Sequence, residues 1–176
     1  MNKRQKRTLY NCIIIAGLVF LAWALDGHKK PAIAEYSGQP SHGDGDSFEL
    51  QGFDIRLYGI DAPELDQTCM RNGKEYACGV EARNFLHRFV RNSTVQCEGR
   101  EIDHYDRVIA ECSVNGKDLA AEIVRAGWAV SYLSYGSPYL GEEAEAENKK
   151  RGIWAGDFQE PKEFRDQNHW TNLNIW

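Results

Sequence analysis

The chain has 176 residues, 42% hydrophobic and 27% charged, a balance that excludes a disordered or fibrous protein and suits one well-cored domain of the usual roughly 100–200 residues. Its formal net charge is −5, and beyond residue 34 the count is 15 Lys/Arg against 25 Asp/Glu, or −10. So acidic a body excludes a packaging protein that grips nucleic acid tightly, because such binding needs a basic footprint.

At the N-terminus Lys3, Arg4, Lys6 and Arg7 precede a 17-residue apolar run over 9–25, so residues 1–34 are expected to be a signal peptide or a membrane anchor helix. Ala22-Trp23-Ala24 and Ala32-Ile33-Ala34 suit signal cleavage. The run also reaches the lower edge of a bilayer span at about 1.5 Å per residue, so cleavage and membrane retention through residues 9–25 both stay open. Four cations before the run, against Lys29 and Lys30 after it, favour an exported body: periplasmic, secreted, or anchored in the inner membrane. Residues 35–42, rich in Gly, Pro and Ser, read as a linker.

Strands follow at 47–50 and 53–60, and the second alternates Phe53, Ile55 and Leu57 with Asp54, Arg56 and Tyr58. Over 79–92, Ala82, Phe85, Leu86, Phe89 and Val90 form a helical stripe, with Arg83, His87, Arg88 and Arg91 on the other face. Segments 94–97 and 108–114 read as a hairpin turning at His104-Tyr105. Asn115-Gly116 marks a second turn, and helices are expected at 118–126 and 142–151, each stopped by glycine. Strands and helices do not alternate, so the fold class is α+β or a small β-barrel with helices.

One cysteine, Cys12, lies in the apolar run. The other four show no Cys-x-x-Cys spacing and the histidines are scattered, which argues against zinc and for disulfides. Hairpin pairing would set Cys97 opposite Cys112, and a Cys69 to Cys78 bridge would close a loop around Asn72-Gly73.

Four pieces carry chemistry: Asp44-Gly45-Asp46-Ser47, Arg56, Asp61-Ala62-Pro63-Glu64 and Asp103-His104-Tyr105-Asp106-Arg107. Asp46 and Asp61 offer hard oxygens to calcium or magnesium. Glu64 is placed to take or orient the proton of an attacking water, and two guanidinium groups suit charge developing on phosphorus. In these pieces, in Arg-Leu-Tyr-Gly-Ile-Asp-Ala-Pro-Glu over 56–64, and in Val124-Arg125-Ala126-Gly127-Trp128-Ala129 and Lys150-Arg151-Gly152-Ile153-Trp154, the sequence resembles the staphylococcal nuclease-like (thermonuclease) family.

The resemblance covers about residues 41–165 and implies a five-stranded OB-fold barrel with about three helices over 43–165, followed by a C-terminal tail at 166–176. It implies calcium held by Asp46, Asp61 and the main-chain oxygen of Ala62, and cleavage of single-stranded or flexible DNA or RNA to 3′-phosphate products. Arg56 and Arg107 match the transition-state arginines and Glu64 the general base. Tyr105, Tyr132, Tyr135 and Tyr139 are candidates for stacking on bases. No obligate protein partner is inferred. Three departures are Ser47 and Ala62, each where Thr is usual, and Asp106 where Gly is usual, which sets a carboxylate beside Arg107. Replacing Arg56 or Arg107 by Ala is expected to lower turnover by several powers of ten with folding nearly unchanged. The rival readings are a non-catalytic binding module of the same fold and an accessory protein of envelope or exopolysaccharide assembly.

Overall fold

The structure, a computed structural model, describes residues 34–132, 136 and 138–173, with side chains as far as residue 167. The expected signal or anchor segment through residue 33 lies outside them, and among the described residues no helix is long and apolar enough to cross a membrane.

The strands are β1 (Glu35–Gly38), β2 (Ser47–Leu50), β3 (Phe53–Leu57), β4 (Ile60–Asp61), β5 (Cys69–Arg71), β6 (Lys74–Tyr76), β7 (Val95–Ile102), β8 (Val108–Val114), β9 (Lys117–Asp118) and β10 (Val130–Ser131). The main sheet runs β1-β7-β8-β3-β2, with β9 beside β8. All its neighbours are antiparallel except β3 and β8, which run parallel. Alternation turns Phe48, Leu50, Ile55, Leu57, Val95, Val108 and Val114 inward, where they are buried. Burying such a side chain contributes roughly 1.5–3 kcal/mol, so this inner face is the main source of stability.

The sheet curls into a half-barrel. Its register shifts between Gly99 and Glu101, and a side chain at Gly99 would lie 3.3 Å from the Tyr36 ring that crosses it. The outer strands approach each other where Gln51 donates from Nε2 to the Ser37 carbonyl at 3.1 Å. This is the α+β, OB-type architecture that the resemblance implied.

Four helices, not three, pack around the sheet among the described residues: α1 (Cys78–Val90), α2 (Leu119–Arg125), α3 (Leu140–Asn148) and α4 (Pro161–Leu173), with a 3-10 turn at Gly152–Ala155. Ala82, Leu86 and Val90 of α1 are buried, as the stripe required. Asp118 caps α2 by accepting from Ala121 N–H at 3.0 Å.

Three boundaries differ from the sequence reading. The strand expected over 53–60 breaks at Gly59, whose φ of +77° turns the chain so that β4 leaves the main sheet and pairs with β10. Glu35–Gly38, read as linker, forms β1, because pairing to β7 is a backbone matter and only Tyr36 needs to be buried. The helix α4 runs across the boundary expected at 165/166.

Cys97 and Cys112 are direct partners across β7 and β8 and form a disulfide. Cys69 and Cys78 form the second, closing the β5–β6 hairpin that turns at Asn72-Gly73.

Candidate active site

The site begins with a stiff turn. Oδ1 of Asp44 accepts from the N–H groups of Asp46 (3.1 Å) and Ser47 (2.8 Å) and from the Ser47 hydroxyl (2.8 Å), an arrangement suited to Asp before a strand. Gly45 lets this turn lie against its neighbours, since a Cβ there would stand 2.6 Å from Cβ of Ala62 and 3.0 Å from Cβ of Ala82. Asp46 is thereby held beneath the surface.

Antiparallel register places Ser47 opposite Arg56, and parallel register places Arg56 opposite Ile109, two residues after Arg107. Arg56, Ile109 and Arg107 therefore share one side of the sheet. Arg56 reaches inward to two carboxylates: Nη1 donates to Oδ1 of Asp46, and Nη2 to Oδ1 of Asp61 at 2.7 Å. Oδ2 of Asp46 accepts from Ala62 N–H at 2.6 Å.

Burial pushes the Asp46 carboxyl up to about 8; Arg56 pulls against the rise, and Asp44 and Asp61 add to it. Burial also works against the Arg56 charge, but Asp46 and Asp61 outweigh it and raise that group above its ordinary value.

Arg165, from the first turns of α4, enters the same cluster. Nη1 and Nη2 each lie 2.9 Å from an oxygen of Asp61, in paired fork geometry, and Nη1 lies 2.6 Å from Oε1 of Glu64. Burial opposes its charge, yet these bonds hold it well above the ordinary arginine range.

Glu64 is fixed from behind by Gln67, which is wholly buried. Gln67 Oε1 accepts from Glu64 N–H (3.1 Å), Gln67 N–H donates to the Glu64 carbonyl (2.8 Å), and Nε2 donates to the Gln159 carbonyl (2.7 Å). Gly79 permits the close passage of α1, since any Cβ there would sit 1.7 Å from the Glu64 carbonyl oxygen.

Arg107 stands at the opposite rim. Its Nε and Nη2 donate to Oδ2 of Asp103 at 2.9 and 2.8 Å, and its guanidinium carbon lies 5.3 Å from the Tyr105 ring centre. The carboxylate that holds Arg107 is thus Asp103; Asp106 is exposed and takes a φ of +63°, a conformation that explains why Gly suits this position and Asp tolerates it. Burial alone would raise the Asp103 carboxyl, but the N–H of Arg107, its guanidinium and the N–H of Tyr105 together lower it.

A cleft of about 760 Å³ joins these groups, lined by Arg56, Glu64, Tyr105, Arg107, Tyr132 and Arg165 among others. Asp46, Asp61 and Ala62 are buried and do not line it; the two carboxylates connect to it through Arg56, and Asp61 also through Arg165. Tyr139 lies elsewhere, buried with its hydroxyl 3.0 Å from Asp118, and Tyr135 lies outside the described residues. The basic face of α1 borders a separate hollow with Gln39 and Pro40.

The oxygens of Asp46, Asp61 and Glu64 and the Ala62 carbonyl are hard donors of the kind calcium takes, so the residue set fits such a cation chemically. In their present arrangement guanidinium groups stand between them, and among the described residues no three His, Cys, Asp or Glu side chains are already grouped as a ligand set.

Sequence reasoning passed over Arg165, Gln67 and Asp103 as site residues. Asp103 was within a recognised motif, whereas Arg165 and Gln67 act through a contact between segments some 90 to 100 residues apart. No local pattern announces that contact.

Comparison with known proteins identifies the family. The family model for staphylococcal nuclease homologues matches residues 54–156, which include Arg56, Asp61, Glu64 and Arg107 and leave out Asp46 and Arg165. The succinoglycan biosynthesis protein ExoI of Rhizobium meliloti is 33% identical over 138 residues, covering 76% of this chain and 72% of that protein. The probable endonuclease LCL3 of Verticillium alfalfae is 32% identical over 128 residues, covering 64% of this chain and 44% of its own length. Its counterpart in Botryotinia fuckeliana is 28% identical over 179 residues, covering 92% and 66%. The chain therefore spans less than half of the Verticillium relative. The half-barrel, the paired arginines over buried carboxylates and the extent of the match lead to one assignment: the chain belongs to the staphylococcal nuclease homologue family.

Proposed function

We propose that the chain is an exported, calcium-dependent nuclease that hydrolyses phosphodiester bonds of single-stranded or flexible DNA or RNA and leaves 3′-phosphates. The observation that carries this reading is that Arg56, Glu64 and Arg107 line one cleft, with Arg56 bonded to the buried carboxylates of Asp46 and Asp61. The names of the LCL3 relatives add to it.

Asp46, Asp61 and the Ala62 carbonyl would hold the calcium ion, which when bound supplies positive charge beside the scissile phosphate. Arg56 and Arg107 approach that phosphate from the two sides of the cleft and oppose the charge that grows on its oxygens. Glu64 is paired through Oε1, which leaves Oε2 to take or orient the proton of the attacking water. The water oxygen bonds to phosphorus, the bond to the 5′-oxygen breaks, and that oxygen leaves with a proton. Tyr105, 68% exposed, and Tyr132 at the rim offer ring faces to flanking bases, which suits unpaired strands of any sequence.

The likeness to the succinoglycan protein supports a second reading, an accessory role in envelope polysaccharide assembly. One experiment separates the two: the purified, oxidised chain is mixed with single-stranded DNA and, separately, with RNA, each in calcium or in chelator, and product ends are analysed. Calcium-dependent fragments bearing 3′-phosphates are expected. A folded protein that cuts neither DNA nor RNA would transfer the assignment to the accessory reading.

A further inference from the structure

Asp61 and Glu64 are both held by a side chain from the far end of the chain. Arg165 covers both oxygens of Asp61 and one of Glu64, while 36% of its side chain stays open to the cleft. Its delivery is built into the fold. Met70 and Asp157 exchange backbone hydrogen bonds (2.8 and 3.0 Å), Phe158 packs edge-on against Trp154, and buried Gln67 grips the Gln159 carbonyl just before α4 begins. Pro161 is buried at the start of the helix, and Arg165 follows one turn later on the same face.

The charge balance gives this contact a purpose. Asp61 is fully buried and Glu64 is half-buried, and Arg56, shared between Asp46 and one oxygen of Asp61, leaves the other Asp61 oxygen and Glu64 to a second cation. An uncompensated buried carboxylate is strongly unfavourable, so Arg165 supplies the second positive charge.

We propose that Arg165 is a positioning residue, an internal counter-cation for Asp61 and Glu64 that a divalent cation must displace in order to bind. Guanidinium and cation need the same Asp61 oxygens, so each weakens the binding of the other by the same factor. The fourth helix thereby acts as a latch whose guanidinium bridges the two carboxylates and orients them until a cation arrives. This inference rests on the reading of Asp61 as a calcium ligand.

The test is calorimetric titration of the full, oxidised chain with calcium alone, for wild type, Arg165→Gln and Arg165→Lys, alongside amide hydrogen exchange of wild type. The Gln variant should bind calcium more tightly than wild type by at least about fivefold, the lower end of typical coupling between sites, with the Lys variant between them. In wild type, exchange over residues 161–167 should quicken on adding calcium. A Gln variant that is folded and binds calcium equally or more weakly overturns the latch, as does unchanged exchange in calcium-loaded wild type. Absence of calcium binding in every protein would instead sink the calcium reading, and the latch with it.

Discussion

Arg56 is 14% exposed and lies between the Asp46 and Asp61 carboxylates, whereas Arg107 sits at the rim with Asp103. Removing Arg56 takes its guanidinium partner from buried Asp46 and one of two from buried Asp61, so Arg56→Ala should cost about 3–5 kcal/mol and lower the urea midpoint as well as the rate. For Arg56 this prediction departs from the expectation that folding would be nearly unchanged, because its guanidinium is buried between carboxylates. Arg107→Ala should lower turnover about 10²- to 10³-fold with an unaltered melting curve, because its partner Asp103 can turn to solvent. Asp103 also sets an acid limit. Its carboxyl is lowered in the folded chain, so its support of the 103–107 turn is complete above the ordinary aspartate value of about 4 and is lost as pH falls through the lower folded value. Turn resonances followed by NMR should shift together below about pH 4, and in Asp103→Asn that acid transition should vanish. The sequence names these charged residues through motif spacing, but which carboxylate meets which arginine depends on the fold. Asp106 is next to Arg107 in the chain, yet Asp103 is the one that touches it.

Among the elements, helices and hairpins with a regular apolar period lay open in the sequence. The stripe of α1 and the opposed cysteines of β7 and β8 are instances, because burial of one face imposes the period directly. Elements whose role is to bring backbones close did not. Gly45 looks like any turn glycine until Ala62 and Ala82 are seen against it. Gly45→Ala should therefore cost about 1–3 kcal/mol by overpacking and lower the thermal midpoint, although the position is polar in its neighbours and near the surface in sequence terms. Likewise β1 has no strand-like pattern, since its main contribution is a backbone ladder. The fourth helix is not read from the sequence, which assigns residues 166–176 to a tail, and its service to the cleft depends on Gln67 and the hairpin of β5 and β6, which nothing near residue 165 encodes.

At the scale of the molecule, the two disulfides tie the barrel and the side hairpin to themselves rather than to each other. A loop of about 15 residues, as between Cys97 and Cys112, is worth about 3 kcal/mol by chain-entropy reasoning. Reduction should move the denaturant midpoint down accordingly, and Cys97→Ala/Cys112→Ala should reproduce most of the shift; a midpoint indifferent to reductant would assign the cross-strand pair no stabilising role. Such bridges belong to an oxidising compartment, in keeping with the proposed export. The overall α+β class was readable because strands and helices do not alternate one for one along the chain, while the curl and the parallel contact of β3 with β8 arise from long-range closure. That parallel contact also bears on when the protein can act. Arg56 and Arg107 become neighbours only after the loop between them, with α1 and the β5–β6 hairpin inside it, has been closed, and contacts of such sequence separation form late and slowly. A nascent or unfolded chain holds all the chemical groups and none of their geometry. On the proposed function, cleaving power is a product of the finished fold, and a chain that has not yet folded is harmless to nucleic acid.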